Sequence, residues 1–306
     1  MELTNADIDA GFAQVRRERA LHRRLDDVRN PDFWRRLNPE LSITDFPLRR
    51  AARRAAPPAA VLDRCRRQLL ADGYLHVPSL VPRDEAERLA AAVTRIVNDG
   101  LPAELTAVYD EAYRIFAGLE AVFEPLLGPG YFMVTQGVGA FYVPPADDGR
   151  SLWTASAPHR DRMAPDARTM AGEVPSILTL WLALSDVTTE HSCLYVVPAS
   201  ADPDFHTPER KVGDTFRLQD IRALPAQTGD VIGWSSHLIH WGSASSRFVT
   251  TPRISITMYF QRRDVPLWHP FHIDPEQPCT FAERLTWIEH SLGRAGLFDG
   301  IKVEGA

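Results

Sequence analysis

The tetrapeptide Pro158-His159-Arg160-Asp161 places an imidazole and a carboxylate two residues apart. In an extended strand, successive side chains point to opposite faces, so His159 and Asp161 share one face while Arg160 points to the other. Two such groups on one face can bind a divalent metal ion. A His-X-Asp triplet alone is a weak signal, because surface ion pairs produce the same pattern. The sequence on either side is therefore needed to distinguish a metal site from a surface ion pair.

A second histidine in a strand-like region favours the metal site. Residues 230–234 follow a glycine and predict a turn that leads into a strand, and residues 237–243 continue it with two histidines, His237 and His240. With His240, the chain presents two imidazoles and one carboxylate and leaves coordination positions open, which is the arrangement expected of non-haem Fe(II) oxygenases. His237 is the alternative ligand.

Arg253 and Ser255 form a second pair, in the strand-like run 252–259. Two residues apart on a strand, they face the same way. A guanidinium offers two parallel donors to a carboxylate, and the hydroxyl adds a third. A buried arginine paired with an acidic residue of the core would give the same pattern.

The order of these residues resembles the phytanoyl-CoA dioxygenase-like (PhyH) Fe(II)/2-oxoglutarate oxygenases. Their pattern is a His-X-Asp, then a His followed by Gly-Ser, then an Arg, and here Arg253 lies 13 residues after His240. The Gly-Ser favours His240 over His237 as the ligand. The likeness covers residues 71–261. It departs where the family usually has Gly before a Leu-Tyr-Val-Val segment and Pro-Gly-Ser-His after it, because residues 192–193 are Ser-Cys and residues 198–201 are Pro-Ala-Ser-Ala.

The resemblance implies Fe(II) held by His159, Asp161 and His240, with 2-oxoglutarate as cosubstrate and O2 as oxidant. Arg253 would bind the far carboxylate of 2-oxoglutarate, assisted by Ser255. Further inward groups expected near the cosubstrate or substrate are Gln136, Tyr142, Trp153, Thr179, Trp181 and Tyr259. Aromatic residues in strands also serve as ordinary core packing.

The implied reaction is the hydroxylation of an unactivated carbon of a small-molecule metabolite, with release of succinate and CO2. In halogenating relatives Gly or Ala replaces the carboxylate ligand, so Asp161 predicts hydroxylation or a related oxidation such as desaturation. Two alternatives stay open. One is a cupin-like metal-dependent isomerase or hydrolase that does not use 2-oxoglutarate and would not require Arg253 with Ser255. The other is a peptide or protein hydroxylase.

The distribution of apolar residues predicts an α+β fold. Helical periodicity appears at residues 59–71, 84–99, 103–127 and 281–292, and strand-like runs appear at residues 131–143, 177–184, 194–197 and 231–261. Helices first and then many strands indicate a double-stranded β-helix core, the jelly-roll or cupin-like arrangement, with flanking helices. We expect residues 1–56 to be a helical N-terminal extension packed on the core, and residues 57–306 to be the oxygenase domain.

Composition limits the partners and the compartment. The 306 residues have 44% hydrophobic content and a net charge of −6. Residues 1–67 hold 15 Arg, but 10 acidic residues alternate with them, so a solvated helical surface is favoured over a nucleic-acid arm. No apolar run reaches 18 residues, no signal-peptide pattern opens the chain, and the 3 cysteines have no paired spacing. We expect a soluble cytoplasmic protein with a small-molecule substrate and no nucleic-acid or membrane partner, and with an oligomeric state that the sequence leaves open.

Overall fold

The computed structural model describes residues 25–45, 54–128, 130–145, 157–161, 170–171, 174–206, 212, 216–268 and 272–294. Residues 1–24 and 46–53 of the predicted helical N-terminal extension lie outside these residues. In the described part of the chain, no helix is both long and apolar enough to span a membrane.

Most helices precede most strands, as the sequence predicts. The α-helices are α1 (Leu25–Val28), α2 (Pro31–Leu37), α3 (Ala59–Asp72), α4 (Arg83–Asn98), α5 (Asp110–Ala117), α6 (Glu120–Leu127) and α7 (Phe281–Arg294), and short 3-10 helices occupy Ala103–Val108, Ala199–Ala201 and Leu218–Asp220. The predicted helices at 59–71, 84–99 and 281–292 are confirmed, with ends that differ by at most two residues. α3 ends at Gly73, whose positive φ of 79° is the left-handed conformation that favours glycine after a helix.

The predicted helical stretch at 103–127 is wrong in its continuity. The structure contains a 3-10 helix followed by α5 and α6, with breaks at residue 109 and at residues 118–119. Tyr109 has an extended backbone, and its buried hydroxyl donates a 2.8 Å hydrogen bond to the carbonyl of Trp34. Local periodicity cannot predict this contact, because Trp34 lies 75 residues earlier in the chain.

The strands form one large and two small antiparallel sheets. They are β1 (Tyr74–Val77), β2 (Tyr131–Val143), β3 (Met170–Ala171), β4 (Val174–Pro175), β5 (Ile177–Ala183), β6 (Leu194–Val197), β7 (Arg222–Leu224), β8 (Val231–Ser235), β9 (Ile239–Gly242), β10 (Arg253–Arg262) and β11 (His272–Ile273). The large sheet has the order β1-β8-β5-β10-β2-β11, the second has the order β7-β6-β9, and β3 pairs with β4. β2 is continuous, but its register with β10 shifts between Thr257 and Tyr259.

The large sheet is covered on both faces. On one face, alternate residues of β5, namely Leu178, Leu180 and Leu182, belong to the hydrophobic core that includes the helices. On the other face, Trp181 and Ala183 pack with side chains of the β7-β6-β9 sheet. This explains why β5 is apolar throughout, because a strand buried on both faces has no solvent side. The predicted fold class, an antiparallel jelly-roll-like core with flanking helices, is confirmed, although hydrogen bonds among the described strands do not close the sheets into a barrel.

The described part of the N-terminal segment contributes to the same core. Trp34 in α2 is fully buried, and its ring meets Tyr109 edge-on at a centroid distance of 6.0 Å. Leu41 and Ile43 are also buried in the core that includes the helices. The boundary at residue 56 between an extension and an oxygenase domain stays a prediction.

Candidate metal centre

His159 and His240 lie directly opposite each other, although 81 positions separate them in the chain. The amide of His159 donates to the carbonyl of His240 at 3.1 Å, and the amide of His240 donates back to the carbonyl of His159 at 2.9 Å. Their ring centroids are 4.4 Å apart. Two reciprocal backbone bonds thus fix the segment of residues 158–161 against β9 and bring the two imidazoles side by side.

Both rings are oriented by backbone carbonyls. The Nδ1 atom of His159 lies 2.8 Å from the carbonyl oxygen of Ala157, and that of His240 lies 3.0 Å from the carbonyl oxygen of Leu238. A carbonyl only accepts, so each Nδ1 carries the hydrogen and each Nε2 keeps its lone pair. The two Nε2 atoms lie 3.9 and 3.5 Å from Oδ1 of Asp161. One ligand atom from each residue can be chosen so that all three lie within 4.8 Å of one another.

The Asp161 carboxylate accepts three hydrogen bonds from the large sheet. Thr179 Oγ1 and Trp234 Nε1 donate to Oδ2 at 3.0 and 2.9 Å, and Tyr259 Oη donates to Oδ1 at 2.9 Å. These donors come from β5, β8 and β10. Asp161 is therefore held by its surroundings before any metal is bound.

Burial differs between the two imidazoles. His240 is buried, and its burial lowers the pKa of the ring, which favours the neutral form that binds metals. The side chain of His159 is 46% exposed, so the solvent reaches the centre from this side. The group of three potential ligands is therefore exposed to solvent at His159 and buried at His240.

A cavity of about 180 Å³ opens beside the three residues. Its walls include the aromatic side chains of Phe141, Trp181, Trp234, Trp241 and Tyr259, and Arg253 also lines it. An apolar wall with a few polar groups is typical of small-molecule sites.

Arg253 is a buried cation in this cavity. It is 6% exposed, and burial lowers its pKa to about 10. None of the described acidic residues forms a salt bridge with it, so the alternative of a core ion pair finds no support among them. Its Nε has no hydrogen-bond partner among the described residues, and neither has the buried Oγ of Ser255 or the buried Nε1 of Trp181. Arg253 and Trp181, which line the cavity, thus keep donors that no described acceptor satisfies.

Residues 119–249 match the family model described as Phytanoyl-CoA dioxygenase (PhyH). These residues form a PhyH domain. The predicted family is thereby confirmed, and the match contains His159, Asp161 and His240 but ends four residues before Arg253.

Solved structures of similar fold include the apo form of ThoJ, a non-heme monooxygenase, with a TM-score of 0.54 and 16% identity over 75% of this chain and 99% of ThoJ. The epimerase SnoN, in complex with Fe3+, alpha ketoglutarate and nogalamycin RO, has a TM-score of 0.48 and 21% identity over 73% of this chain and 97% of SnoN. AviO1 from Streptomyces viridochromogenes Tue57 has a TM-score of 0.48 and 16% identity over 70% of this chain and 98% of AviO1. No curated protein matches the chain. The likeness to ThoJ supports the fold.

Arg160 anchors the PhyH domain's His-X-Asp segment from behind. It points away from the centre, as the strand alternation predicts, and donates two hydrogen bonds to the Asp202 carboxylate at 2.5 and 3.0 Å. It also donates to the carbonyl of His237 at 2.6 Å. Both side chains of the Arg160–Asp202 pair are almost completely buried. The alternative ligand His237 is therefore buried behind the segment, outside the group of three potential ligands.

One departure from the family pattern has a local explanation. Ser192, in the pair that replaces the usual Gly, has a positive φ of 53°, the left-handed conformation that glycine adopts most easily. Its Oγ donates to the carbonyl of Ser243 at 2.6 Å, and the residue lines the cavity. Ser192 thus adopts a conformation that is rare for serine, and its hydroxyl donates to the residue that follows β9.

The structure separates the other predicted pocket residues. Tyr259 and Trp181 line the cavity, whereas Thr179 binds the Asp161 carboxylate and does not line it. Ser255 is buried in the same strand as Arg253 but does not line the cavity either. Gln136 lies in β2, but its side chain is outside the described residues, as is Trp153 altogether. Trp234 and Asp202 were not predicted. Trp234 could have been found by aligning β8 with β5, which places it opposite Thr179.

Proposed function

We propose that this chain is an Fe(II)/2-oxoglutarate-dependent oxygenase that hydroxylates an unactivated carbon of a small-molecule substrate. The observation that carries the proposal is the group of His159, Asp161 and His240 beside a cavity that holds Arg253, a cation without an acidic partner among the described residues. Iron and 2-oxoglutarate are the cofactor and cosubstrate of the PhyH-family enzymes. The roles of the individual residues are part of the proposal.

The three ligand residues fit a divalent iron ion. Two unprotonated Nε2 atoms and one carboxylate oxygen form the two-histidine, one-carboxylate set of non-haem Fe(II) oxygenases, which leaves further positions open. Because Nδ1 of each ring is occupied by a carbonyl, neither imidazole has to change its tautomer or its rotamer to bind. Preorganisation of this kind reduces the free-energy cost of binding.

The cavity fits the cosubstrate. Arg253 supplies a planar pair of donors for a carboxylate, and a bound carboxylate would neutralise a cation that no described residue neutralises. When bound, iron and 2-oxoglutarate supply the activation of O2 and the oxidation of the substrate carbon, with succinate and CO2 as coproducts. The chain's own residues bind and orient the iron and the cosubstrate and exclude water from them. Trp181, Trp234 and Phe141 form the apolar walls of the cavity beside the proposed ligands.

A direct test is the visible charge-transfer band of the Fe(II)–2-oxoglutarate complex under anaerobic conditions. We expect the band only when both components are added to the wild-type protein. It should disappear in His240→Ala and persist in His237→Ala, a matched control because it removes a buried imidazole three residues away. In air, succinate release should accompany a substrate mass gain of one oxygen when a metabolite library is added.

The opposite pattern in the two histidine variants would refute His240 as the ligand. Metal binding without any band would support an isomerase or hydrolase that does not use 2-oxoglutarate. A peptide or protein hydroxylase would give the same band with Fe(II) and 2-oxoglutarate but would oxidise peptides instead of metabolites.

A further inference from the structure

Three neighbouring strands of the large sheet present one row of side chains to Asp161. Trp234 in β8 is paired with Thr179 in β5, and Thr179 is paired with Tyr259 in β10. Residues paired across antiparallel strands project on the same face. All three donate to the same carboxylate, at 2.9 to 3.0 Å. The orientation of this carboxylate is thus set by the register of the sheet.

The three donors are unequally divided between the two carboxylate oxygens. Oδ2 accepts from both Thr179 and Trp234, whereas Oδ1 accepts from Tyr259 alone among the described residues. A carboxylate oxygen offers about two lone pairs, so Oδ2 is saturated and Oδ1 has one lone pair left. Oδ1 is also the oxygen that lies 3.5 Å from Nε2 of His240. The oxygen with spare capacity is the one that faces the histidines.

We propose that Thr179 and Trp234 are positioning residues that hold Asp161 as a one-oxygen ligand, with Oδ1 for the metal and Oδ2 kept for the sheet. This inference rests on the proposed function. An octahedral ion has about six positions, and three protein ligand atoms leave three, which suffice for a chelating 2-oxo acid and O2. A carboxylate bound through both oxygens would occupy one of those positions. By holding Oδ2, Thr179 and Trp234 thereby keep three coordination positions of the metal open.

The test uses Co(II) binding to the full chain without 2-oxoglutarate, followed by visible absorption. Trp234→Phe and Thr179→Val each remove one donor to Oδ2, and we expect Co(II) affinity to fall about 10- to 100-fold, as is typical when a group that orients a metal ligand is removed. The d–d absorption of the Co(II) complex should change in both variants, because the carboxylate then binds in another mode. Thr179→Ser keeps the hydroxyl and should restore wild-type affinity and spectrum.

The matched control for Thr179→Val is Thr106→Val. Thr106 is also a buried threonine, but its hydroxyl donates to the carbonyl of Ala103 and the residue does not line the cavity. We expect this variant to bind Co(II) within about twofold of the wild type, well short of the 10-fold or larger loss expected for an orienting group. Equal losses in Thr106→Val and Thr179→Val would reduce Thr179 to a packing role and overturn the inference. It would also be overturned by wild-type affinity in Trp234→Phe and Thr179→Val, or by a Thr179→Ser variant no better than Thr179→Val.

The failure of the proposed function looks different. In that case the wild-type protein itself binds neither Co(II) nor Fe(II), or binds Fe(II) without a band when 2-oxoglutarate is added.

Discussion

Arg253 is the residue from which the strongest binding effect is expected. A charge-assisted pair that loses one buried partner typically costs roughly 2–5 kcal/mol, so Arg253→Ala should weaken 2-oxoglutarate binding roughly thirty- to several-thousand-fold. Fe(II) binding should change little. Arg253→Lys should recover only part of the loss, because one ammonium cannot reproduce the planar pair of donors. Titration of the charge-transfer band with 2-oxoglutarate measures both variants, and unchanged affinity in a folded Arg253→Ala protein would contradict the role of Arg253.

His237 should make stability depend on pH. Burial lowers its pKa to about 4, while the unfolded chain has an ordinary value near 6.5. Between these two values the unfolded state binds a proton that the folded state does not, so the free energy of unfolding falls as the pH falls from about 6.5 to 4, by about 3 kcal/mol from this group. In His237→Gln this contribution is absent.

The measurement is urea unfolding of both proteins at several pH values. Whatever the difference in stability at pH 7, the wild type should lose more stability than His237→Gln on acidification. A difference that stays constant from pH 7 to pH 4 would show that His237 is not buried in its neutral form.

The proposed metal ligands illustrate what could be predicted at the scale of residues. His159 and Asp161 were placed on one face because side-chain alternation is a local rule, and the direction of Arg160 followed from the same rule. Trp234 was missed because its contact with Asp161 depends on which strands pair and in which register. Local patterns carry no information on register across a sheet.

The turn before β8 leaves no room for a side chain at Gly229. Gly229 has a positive φ of 94°, and a Cβ atom at this position would lie 2.2 Å from the carbonyl oxygen of Val81. The same residue holds the turn, because the amide of Val81 donates a hydrogen bond to the carbonyl of Gly229 at 3.0 Å. The next residue, Asp230, accepts from Ser79 N at 2.8 Å. The turn therefore joins β8 to the chain that follows β1.

Gly229→Ala should strongly destabilise the fold, because backbone must move to admit the methyl group. Gly100→Ala is the control: Gly100 also has a positive φ, of 82°, but a Cβ atom there meets nothing within 4 Å. The control should cost only about 1 kcal/mol, the strain of a left-handed alanine. Thermal unfolding compares the two, and equal losses would mean that the contact with Val81 has no effect.

The elements were predicted unevenly. α3, α4 and α7 have regular apolar spacing and were found within two residues of their ends. Residues 103–127 were predicted as one continuous helical stretch, because the spacing of their apolar residues suits a helix. The helical conformation is nevertheless interrupted at Tyr109, whose hydroxyl donates to the carbonyl of Trp34. A tertiary hydrogen bond decided the conformation there.

Across the whole molecule, one buried ion pair joins segments far apart in the chain. Arg284 of α7 donates to Asp110 at 2.6 Å, with both side chains fully buried, and to the carbonyl of Thr44 at 2.6 Å. Thr44 returns two hydrogen bonds to Asp110, from its amide at 3.0 Å and its hydroxyl at 2.6 Å. The N-terminal segment, α5 and α7 therefore meet at one polar centre.

Removal of one partner should destabilise the whole protein. Asp110→Ala leaves a buried guanidinium without its carboxylate, which typically costs about 3–5 kcal/mol. Arg217→Ala is the control, since it breaks the exposed Arg217–Asp220 pair, and exposed pairs contribute little. Urea unfolding at pH 7 measures both, and a small effect of Asp110→Ala would show that the three segments are joined mainly by apolar packing.

The alternation along β5 separates two kinds of mutational effect within seven consecutive residues. Leu178, Leu180 and Leu182 face the helices, while Thr179 and Trp181 face the candidate metal centre and the cavity. Substitutions of Leu178, Leu180 or Leu182 should thus lower the abundance of the folded protein. Conservative substitutions of Thr179 or Trp181 should instead alter ligand binding in a protein of normal abundance. Laboratory evolution of new substrate preferences in this enzyme can therefore draw on every second residue of its central strand and leave the layer that holds it together untouched.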